Sequence, residues 1–428
     1  MVVSKIYEIN SCDDMELGVK RSTKLNFKLC YDDDKPVNAI VFIVPGCGGD
    51  VDKAYRDHLA EFTAREFNVA VINVDYHHIY NRLVTGARYY MDEFDQEILR
   101  EKCREINLQL GGDLSSLKNF DKLNGVLSAV SNYIDNNKNS GAFPKDFVLN
   151  LSLTIDPAKD EYQNFGIMQA QDLINALLFV KANAPFECAT DINDLPVVMI
   201  GSSHGGYLSH MAAKIAPWLI DGVIDNSSYA LAHWPFIGFG KEIDYMKYYS
   251  GYTSECYHNI ELYLFDKTHW TLDKASPAYF SKSRKYIREI LLPQHLKVQS
   301  GYKKQIYTSY HYAYDDFYAP ASEKQRLYDE LKNLGYDATL NIIENESQLD
   351  GKFIKTLTHG LDMSIKTLIS KELPPMLAKI TARPKQSCED KSISYVSDDL
   401  EYKFFEANDK INLEIKEQNL PQQNHDNK

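Results

Sequence analysis

The stretch Gly201-Ser202-Ser203-His204-Gly205-Gly206 constrains the fold of this chain more than any other. It follows the apolar run Leu195-Pro196-Val197-Val198-Met199-Ile200 and leads into Tyr207-Leu208-Ser209-His210-Met211-Ala212-Ala213-Lys214. The first reads as a buried strand, the second as a small-residue helix that can pack close to a sheet. A strand, a glycine turn and a helix in direct succession call for a sheet whose strands feed helices. The glycines allow a sharp turn and lift Ser203 clear of the backbone. A serine hydroxyl becomes a useful nucleophile only when it is exposed in this way and handed to a base. The pattern is short enough to arise by chance, so its neighbours must carry the weight.

From residue 38 onward, strand-like and helix-like segments alternate, as in a mostly parallel sheet covered by helices on both faces. Ala39-Ile40-Val41-Phe42-Ile43-Val44 and Val69-Ala70-Val71-Ile72-Asn73-Val74 read as buried strands around an amphipathic helix at 52–67. The opening residues, 1–37, read instead as antiparallel edge strands around Ile6-Tyr7-Glu8-Ile9 and Leu25-Asn26-Phe27-Lys28-Leu29. The main α/β domain is expected over 38–375, with insertions at 76–160 and 230–300. The first insertion shows helical pattern at 91–108 and 117–136 and a strand near 148–153. The second is dense in aromatics, among them Trp234, Phe236, Phe239, Tyr245, Tyr249, Tyr263 and Trp270, which fit either a small core or a lid lining a groove. A closing helix is expected at 361–373, stopped by Pro374-Pro375. The polar extension 376–428 reads as a hairpin with a disordered end.

With 47 basic against 60 acidic residues and a net charge of −13, the chain is a poor partner for a nucleic-acid backbone. Seven scattered cysteines without a CxxC pair suit a reducing compartment. The start of the sequence lacks an apolar signal region, and no run is long enough for a membrane span. A cytoplasmic location is therefore the expectation. His77-His78 are adjacent and lack the spacing of metal ligands, so neither a metal nor another cofactor is expected.

A base for Ser203 must be a histidine oriented by an acid. His359, in Leu357-Thr358-His359-Gly360, lies past the last expected strand and just before the closing helix. For the acid, Tyr310-His311-Tyr312-Ala313-Tyr314-Asp315-Asp316 follows a strand directly, and Asp315 is the leading choice, with Asp316 and Asp225 as alternatives. His204 adjoins the nucleophile too closely to serve as its base. Acyl transfer also needs donors aimed at a developing oxyanion, which backbone N–H groups supply at fixed positions. Pro45-Gly46-Cys47-Gly48-Gly49-Asp50, directly after a buried strand, is the expected loop, and the N–H groups of Cys47 and His204 are the expected pair. This loop lacks the Lys-Ser/Thr of a phosphate-binding loop.

Pro45-Gly46-x-Gly48-Gly49, Gly201-x-Ser203-x-Gly205-Gly206, His311-x-x-x-Asp315 and His359-Gly360 together resemble the α/β-hydrolase superfamily over roughly residues 38–373, most closely its prolyl-oligopeptidase and dienelactone-hydrolase branches. Tyr312 stands where those relatives usually have glycine, and Ile343 to Thr358 adds residues ahead of His359. Asn164-Phe165-Gly166-Ile167-Met168-Gln169-Ala170 and Pro217-Trp218-Leu219-Ile220-Asp221-Gly222-Val223-Ile224-Asp225 further resemble an uncharacterised bacterial family often encoded near flagellar glycosylation and motility genes. The resemblance implies an α/β-hydrolase fold and a serine hydrolase working through an acyl-enzyme, as an esterase, thioesterase or deacylase, on a small-molecule or glycan-linked acyl substrate. An acyltransferase using the same residues, or a non-catalytic binding or assembly protein on the same fold, are the alternatives.

Overall fold

A computed structural model of the protein describes residues 1–47, 53–111, 114–118, 120–232, 237–249, 254–302, 305–314, 316–384 and 390–418. The chain forms two compact units, one from 1–77, 166–232 and 281–428, the other from 78–165 and 233–280.

The first unit is built on an eight-stranded sheet. Its strands are β1 (Val2–Ile9), β2 (Leu25–Asp32), β3 (Ile40–Val44), β4 (Ala70–Asp75), β5 (Val197–Ser202), β6 (Gly222–Asn226), β7 (Ile306–Tyr312) and β8 (Asp337–Ile343). They lie in the order β1-β2-β4-β3-β5-β6-β7-β8. β1 pairs antiparallel with β2 and β2 with β4; the remaining pairings are parallel. This order, with its antiparallel second strand, is that of the α/β-hydrolase fold.

Sequence pattern follows position in the sheet. Every residue of β3 and β6 is buried, because helices cover both faces of the middle strands. β1, at the edge, has only half-buried and exposed residues. One side of the sheet buries Val41, Ile43, Val71, Val198, Ile200 and Ile224 with Leu59, Ala60 and Ala64 of the helix Lys53–Phe67 and with Leu368, Ile369, Leu373 and Met376 of the closing helix.

That closing helix runs over Ile365–Ala382, straight through Pro374 and Pro375, where a stop was expected. A proline inside a helix removes a hydrogen bond and costs about 3 kcal/mol. Fully burying four large apolar side chains is worth about 1.5–3 kcal/mol each, and here it prevails over the local preference.

The extension after it is also more ordered than expected. Ser392–Ser397, Leu400–Ala407 and Lys410–Glu417 form a three-stranded antiparallel sheet that belongs to the first unit. Tyr402 Oη donates to Glu16 Oε1 at 2.9 Å, and the Ile411 N–H donates to Asn175 Oδ1 at 2.9 Å. Of the expected disordered end, 418–428, residues 419–428 lie outside the described residues.

The second unit has a four-stranded sheet in the order Arg88–Tyr90, Leu149–Asp156, Ile260–Asp266, Ser254–Tyr257. The helices Glu93–Glu105 and Phe120–Asn139 supply Leu99, Cys103, Leu127, Val130 and Ile134 to its core. Its aromatics pack on one another: Tyr263 meets Tyr245 and Tyr249 at 5.9 and 4.4 Å between ring centroids, and Phe280 meets Phe239 and Trp270 at 5.1 and 5.3 Å. Trp234 and Phe236 lie outside the described residues. Residues 281–300, expected within the second insertion, fall in the first unit.

Candidate active site

Ser203 sits between the end of β5 and the helix His204–Ile215, with φ 52° and ψ −120°. A positive φ with that ψ is a sparsely populated conformation that costs a non-glycine residue about 1–3 kcal/mol, so the surroundings must impose it. They do so through close packing. A Cβ on Gly205 would stand 2.1 Å from Val44 O and 2.6 Å from Pro45 O, and one on Gly201 would stand 2.3 Å from Gly205 C. All these neighbours are backbone and cannot step aside. The turn is thus pressed against the end of β3, and the Ser203 N–H is held by Asn226 O at 2.8 Å.

His359 opens a short 3-10 element, His359–Asp362, in which Gly360, Leu361 and Asp362 are all left-handed (φ 79°, 56° and 41°). The loop is pinned by burial of Leu361, whose O accepts from the Lys355 N–H at 3.1 Å, and by the Met363 N–H donating to Gly360 O at 3.0 Å. This brings His359 Nε2 to 2.8 Å from Ser203 Oγ. On the other side of the ring, His359 Nδ1 is 2.5 Å from Asp316 Oδ2.

Asp316 lies in the loop after β7, and its Oδ1 accepts from the Tyr318 N–H at 3.0 Å. Burial alone would push its carboxyl up, but the hydrogen bond to His359 and the backbone N–H groups outweigh it and hold it below the usual value. The ring of Tyr318 meets His359 edge-on, at 5.6 Å between centroids.

The carboxylate on His359 is therefore that of Asp316, the alternative rather than the leading choice; Asp315 lies outside the described residues. Two consecutive carboxylates at a strand end differ by one peptide, and no periodicity ranks them. Asp225 is engaged elsewhere. It is fully buried under the turn, with Lys324 Nζ at 2.9 and 3.0 Å from its two oxygens and His210 Nε2 at 2.8 Å. Burial would raise its pKa, but the Lys324 ammonium and the His210 hydrogen bond hold it far below the carboxylate range.

The ring of His204 is taken up behind the turn. Gln169 donates through Nε2 to His77 O at 3.0 Å, so its Oε1 is free to accept, and it does so from the Gly166 N–H at 3.0 Å and His204 Nε2 at 2.9 Å. His204 Nε2 then carries the hydrogen, and Nδ1 accepts from the Tyr229 hydroxyl. Burial raises Tyr229 well above the usual phenol range, which keeps that donor protonated. The network holds His204 at the first position of its helix, where backbone N–H groups have no acceptor within the helix.

In the loop after β3, the Tyr76 hydroxyl is 3.0 Å from Pro45 O and 3.1 Å from Gly46 O, which fixes the backbone leading to Cys47; Gly48, Gly49 and Asp50 lie outside the described residues. Gln169, Tyr229, Tyr76 and Asn226 all escape sequence reasoning. Each makes a contact that matters here with a residue tens of positions away in sequence.

Among the described residues, neither histidine of the pair at 77–78 belongs to a group of potential metal ligands. The backbone N–H groups of His77 and His78 donate to Asp172 and Glu161 at 2.8 and 2.7 Å. Among the described residues the one group of three potential ligands within reach of a single ion is Asp32, Asp33 and Asp34, two of them exposed. Among those residues, too, no helix is long and apolar enough to cross a membrane.

The chain belongs to the family described as protein of unknown function (DUF2920), whose model matches residues 5–415. No curated protein matches it in sequence. Among solved structures it is similar to an acylaminoacyl peptidase of Pyrococcus horikoshii (10% identity, TM-score 0.44, 90% of this chain and 43% of that one). It is also similar to esterase Est22 (13%, 0.42, 89% and 82%). A third is carboxyl esterase 2 of the mycorrhizal fungus Tuber melanosporum (12%, 0.38, 89% and 84%). The chain thus spans less than half the length of the peptidase.

Proposed function

We propose that this protein is a serine hydrolase that cleaves an ester-type bond through an acyl-enzyme on Ser203. One observation carries the reading: a single imidazole bridges Ser203 Oγ at 2.8 Å and a buried carboxylate at 2.5 Å, joining three residues from separate loops at one end of the sheet. A histidine in that position takes the serine proton on Nε2 while its Nδ1–H stays on the carboxylate.

In the first half-reaction Ser203 Oγ forms a bond to the acyl carbon as its proton passes to His359 Nε2. The tetrahedral adduct collapses with cleavage of the bond to the leaving group, which carries away that proton. Water then adds to the acyl-enzyme with His359 again as base, and the acid is released with Ser203 restored. Asp316 holds the ring and balances the imidazolium. The N–H groups of His204 and Cys47 are the oxyanion donors in this reading, supported by the helix start at His204 and by the Tyr76 hold on the preceding loop. The chemistry suits esters, thioesters and O-acyl sugars alike.

The test is reaction of the folded protein with a fluorophosphonate, followed by peptide mapping of the adduct, with Ser203→Ala in parallel. Labelling at Ser203 that vanishes in the variant is expected. An unlabelled native protein, or equal labelling of the variant, refutes the reading.

A further inference from the structure

Asn226, the last residue of β6, is 1% exposed and touches both sides of the Ser203–His359 pair. Its backbone O accepts from the Ser203 N–H at 2.8 Å. Its side-chain Nδ2 donates to Gly360 O, the carbonyl one residue beyond His359, at 2.8 Å, and reaches Ser202 Oγ at 3.3 Å. Its Oδ1 accepts from Ser227 Oγ at 3.0 Å, which fixes the orientation of the amide. One rigid strand end therefore sets the position of the serine through the main chain and of the histidine loop through the side chain.

The loop needs such a hold. Gly360, Leu361 and Asp362 occupy three successive left-handed conformations, and two of these residues carry a Cβ. Left to itself a segment like this relaxes toward commoner backbone angles. Gly360 O uses one lone pair for the Met363 N–H inside the loop, and the Asn226 amide takes the other as its tie to the sheet.

We infer that Asn226 is a positioning residue that keeps His359 Nε2 within proton-transfer distance of Ser203 by clamping the His359 loop to the nucleophile turn. The inference rests on the hydrolase reading above and goes beyond it in naming a group that touches neither the substrate nor the reacting atoms. It makes a specific statement about kinetics. Misplacing a base by about 1 Å lowers the chemical step about 100-fold without changing how substrate is held.

The experiment compares native protein, Asn226→Ala, Asn226→Asp, Ser202→Ala and Ser203→Ala. Asn226→Asp keeps the acceptor for Ser227 but exchanges the donor for a carboxylate facing Gly360 O, whereas Asn226→Ala simply removes the tie. Read-outs are the rate of fluorophosphonate labelling at Ser203, kcat and KM on p-nitrophenyl acetate, and thermal melting. Both Asn226 variants are expected to label roughly 10- to 100-fold more slowly, with kcat reduced and KM within about twofold. Ser202→Ala, which loses only the 3.3 Å contact, should stay near native.

Native-like labelling and kcat in folded Asn226→Ala and Asn226→Asp would overturn the inference while leaving Ser203 as nucleophile. A rise in KM at constant kcat would overturn it in favour of substrate binding. Failure of both variants to fold would assign Asn226 to stability and overturn it too. An unlabelled native protein would remove the hydrolase reading and this inference together.

Discussion

Replacing Asp316 with asparagine tests the site at its most informative bond. The two oxygens of Asp316 have different partners: Oδ1 accepts from the Tyr318 N–H at 3.0 Å, and Oδ2 faces His359 Nδ1 at 2.5 Å. In Asp316→Asn the amide oxygen stays on the Tyr318 N–H, because the alternative would set two donors against each other. The NH2 group must then face His359 Nδ1, which can only accept from it. The imidazole hydrogen moves to Nε2, and a protonated Nε2 at 2.8 Å from Ser203 Oγ can donate to the serine but cannot take its proton. An aspartate-to-asparagine exchange that forces the wrong tautomer in such a set lowers kcat by about 10⁴, and at 1.36 kcal/mol per tenfold that is about 5.4 kcal/mol of transition-state stabilisation. The exchange is isosteric, so melting within a few degrees of native is expected alongside that loss. The assay is the second-order rate of fluorophosphonate labelling at Ser203, run beside Asp315→Asn, which should stay within about tenfold of native. Labelling of Asp316→Asn at a native rate, or an equally deep loss in Asp315→Asn, refutes the assignment of the acid.

Four further outcomes follow from other features. Gly205→Ala would place a Cβ 2.1 Å from Val44 O, where carbon–oxygen contacts normally begin near about 3.3 Å, so it should cost about 1–3 kcal/mol and abolish labelling. Gly125→Ala, in the helix Phe120–Asn139 with open space around the new Cβ, should instead raise the unfolding free energy measured in urea by about 0.5–1 kcal/mol. Asp225→Asn strips the buried Lys324 of its counter-charge and should cost about 3–5 kcal/mol in denaturant unfolding, while any folded fraction still labels at Ser203. The pH dependence has a defined sign. Burial and the nearby Lys324 push His311 down to about 4, and burial with Lys214 pushes His295 down to about 3. Between these values and the ordinary histidine value of 6.5 the unfolded chain binds more protons than the native one. The contribution of these two histidines to stability should therefore be complete above about pH 6.5 and fall as pH drops toward 4. His311→Gln should flatten that fall in urea titrations, and an unchanged slope would refute the assignment.

How much of this was legible in the sequence depended on whether a feature is enforced locally. The turn at Ser203 was readable because Gly201 and Gly205 meet backbone on every side, so no other residue type fits there. The strands β3, β5 and β6 were readable because burial on both faces demands continuous apolar runs. The acid was not, since Asp315 and Asp316 present the same chemistry one peptide apart. The helix through Pro374-Pro375 was not, because what holds it is the packing of Leu368, Ile369, Leu373 and Met376 against the sheet rather than its own preference.

The second unit shows the limit most clearly. Its central pairing joins Leu149 to Ile260 and onward to Ile155 with Asp266, in parallel register across more than a hundred residues. Each strand alone is an unremarkable apolar stretch, and only the partner supplies its meaning. Asn226 has the same character on a smaller scale. Nothing in Val223-Ile224-Asp225-Asn226-Ser227 distinguishes one polar strand-end residue from the next. Yet the fold places the neighbouring Asp225 in a buried ion pair and Asn226 between the Ser203 turn and the His359 loop. Ser203 and His359, which the proposed chemistry uses, were legible by type and spacing, whereas Asp316 and Asn226 emerged only from their three-dimensional partners.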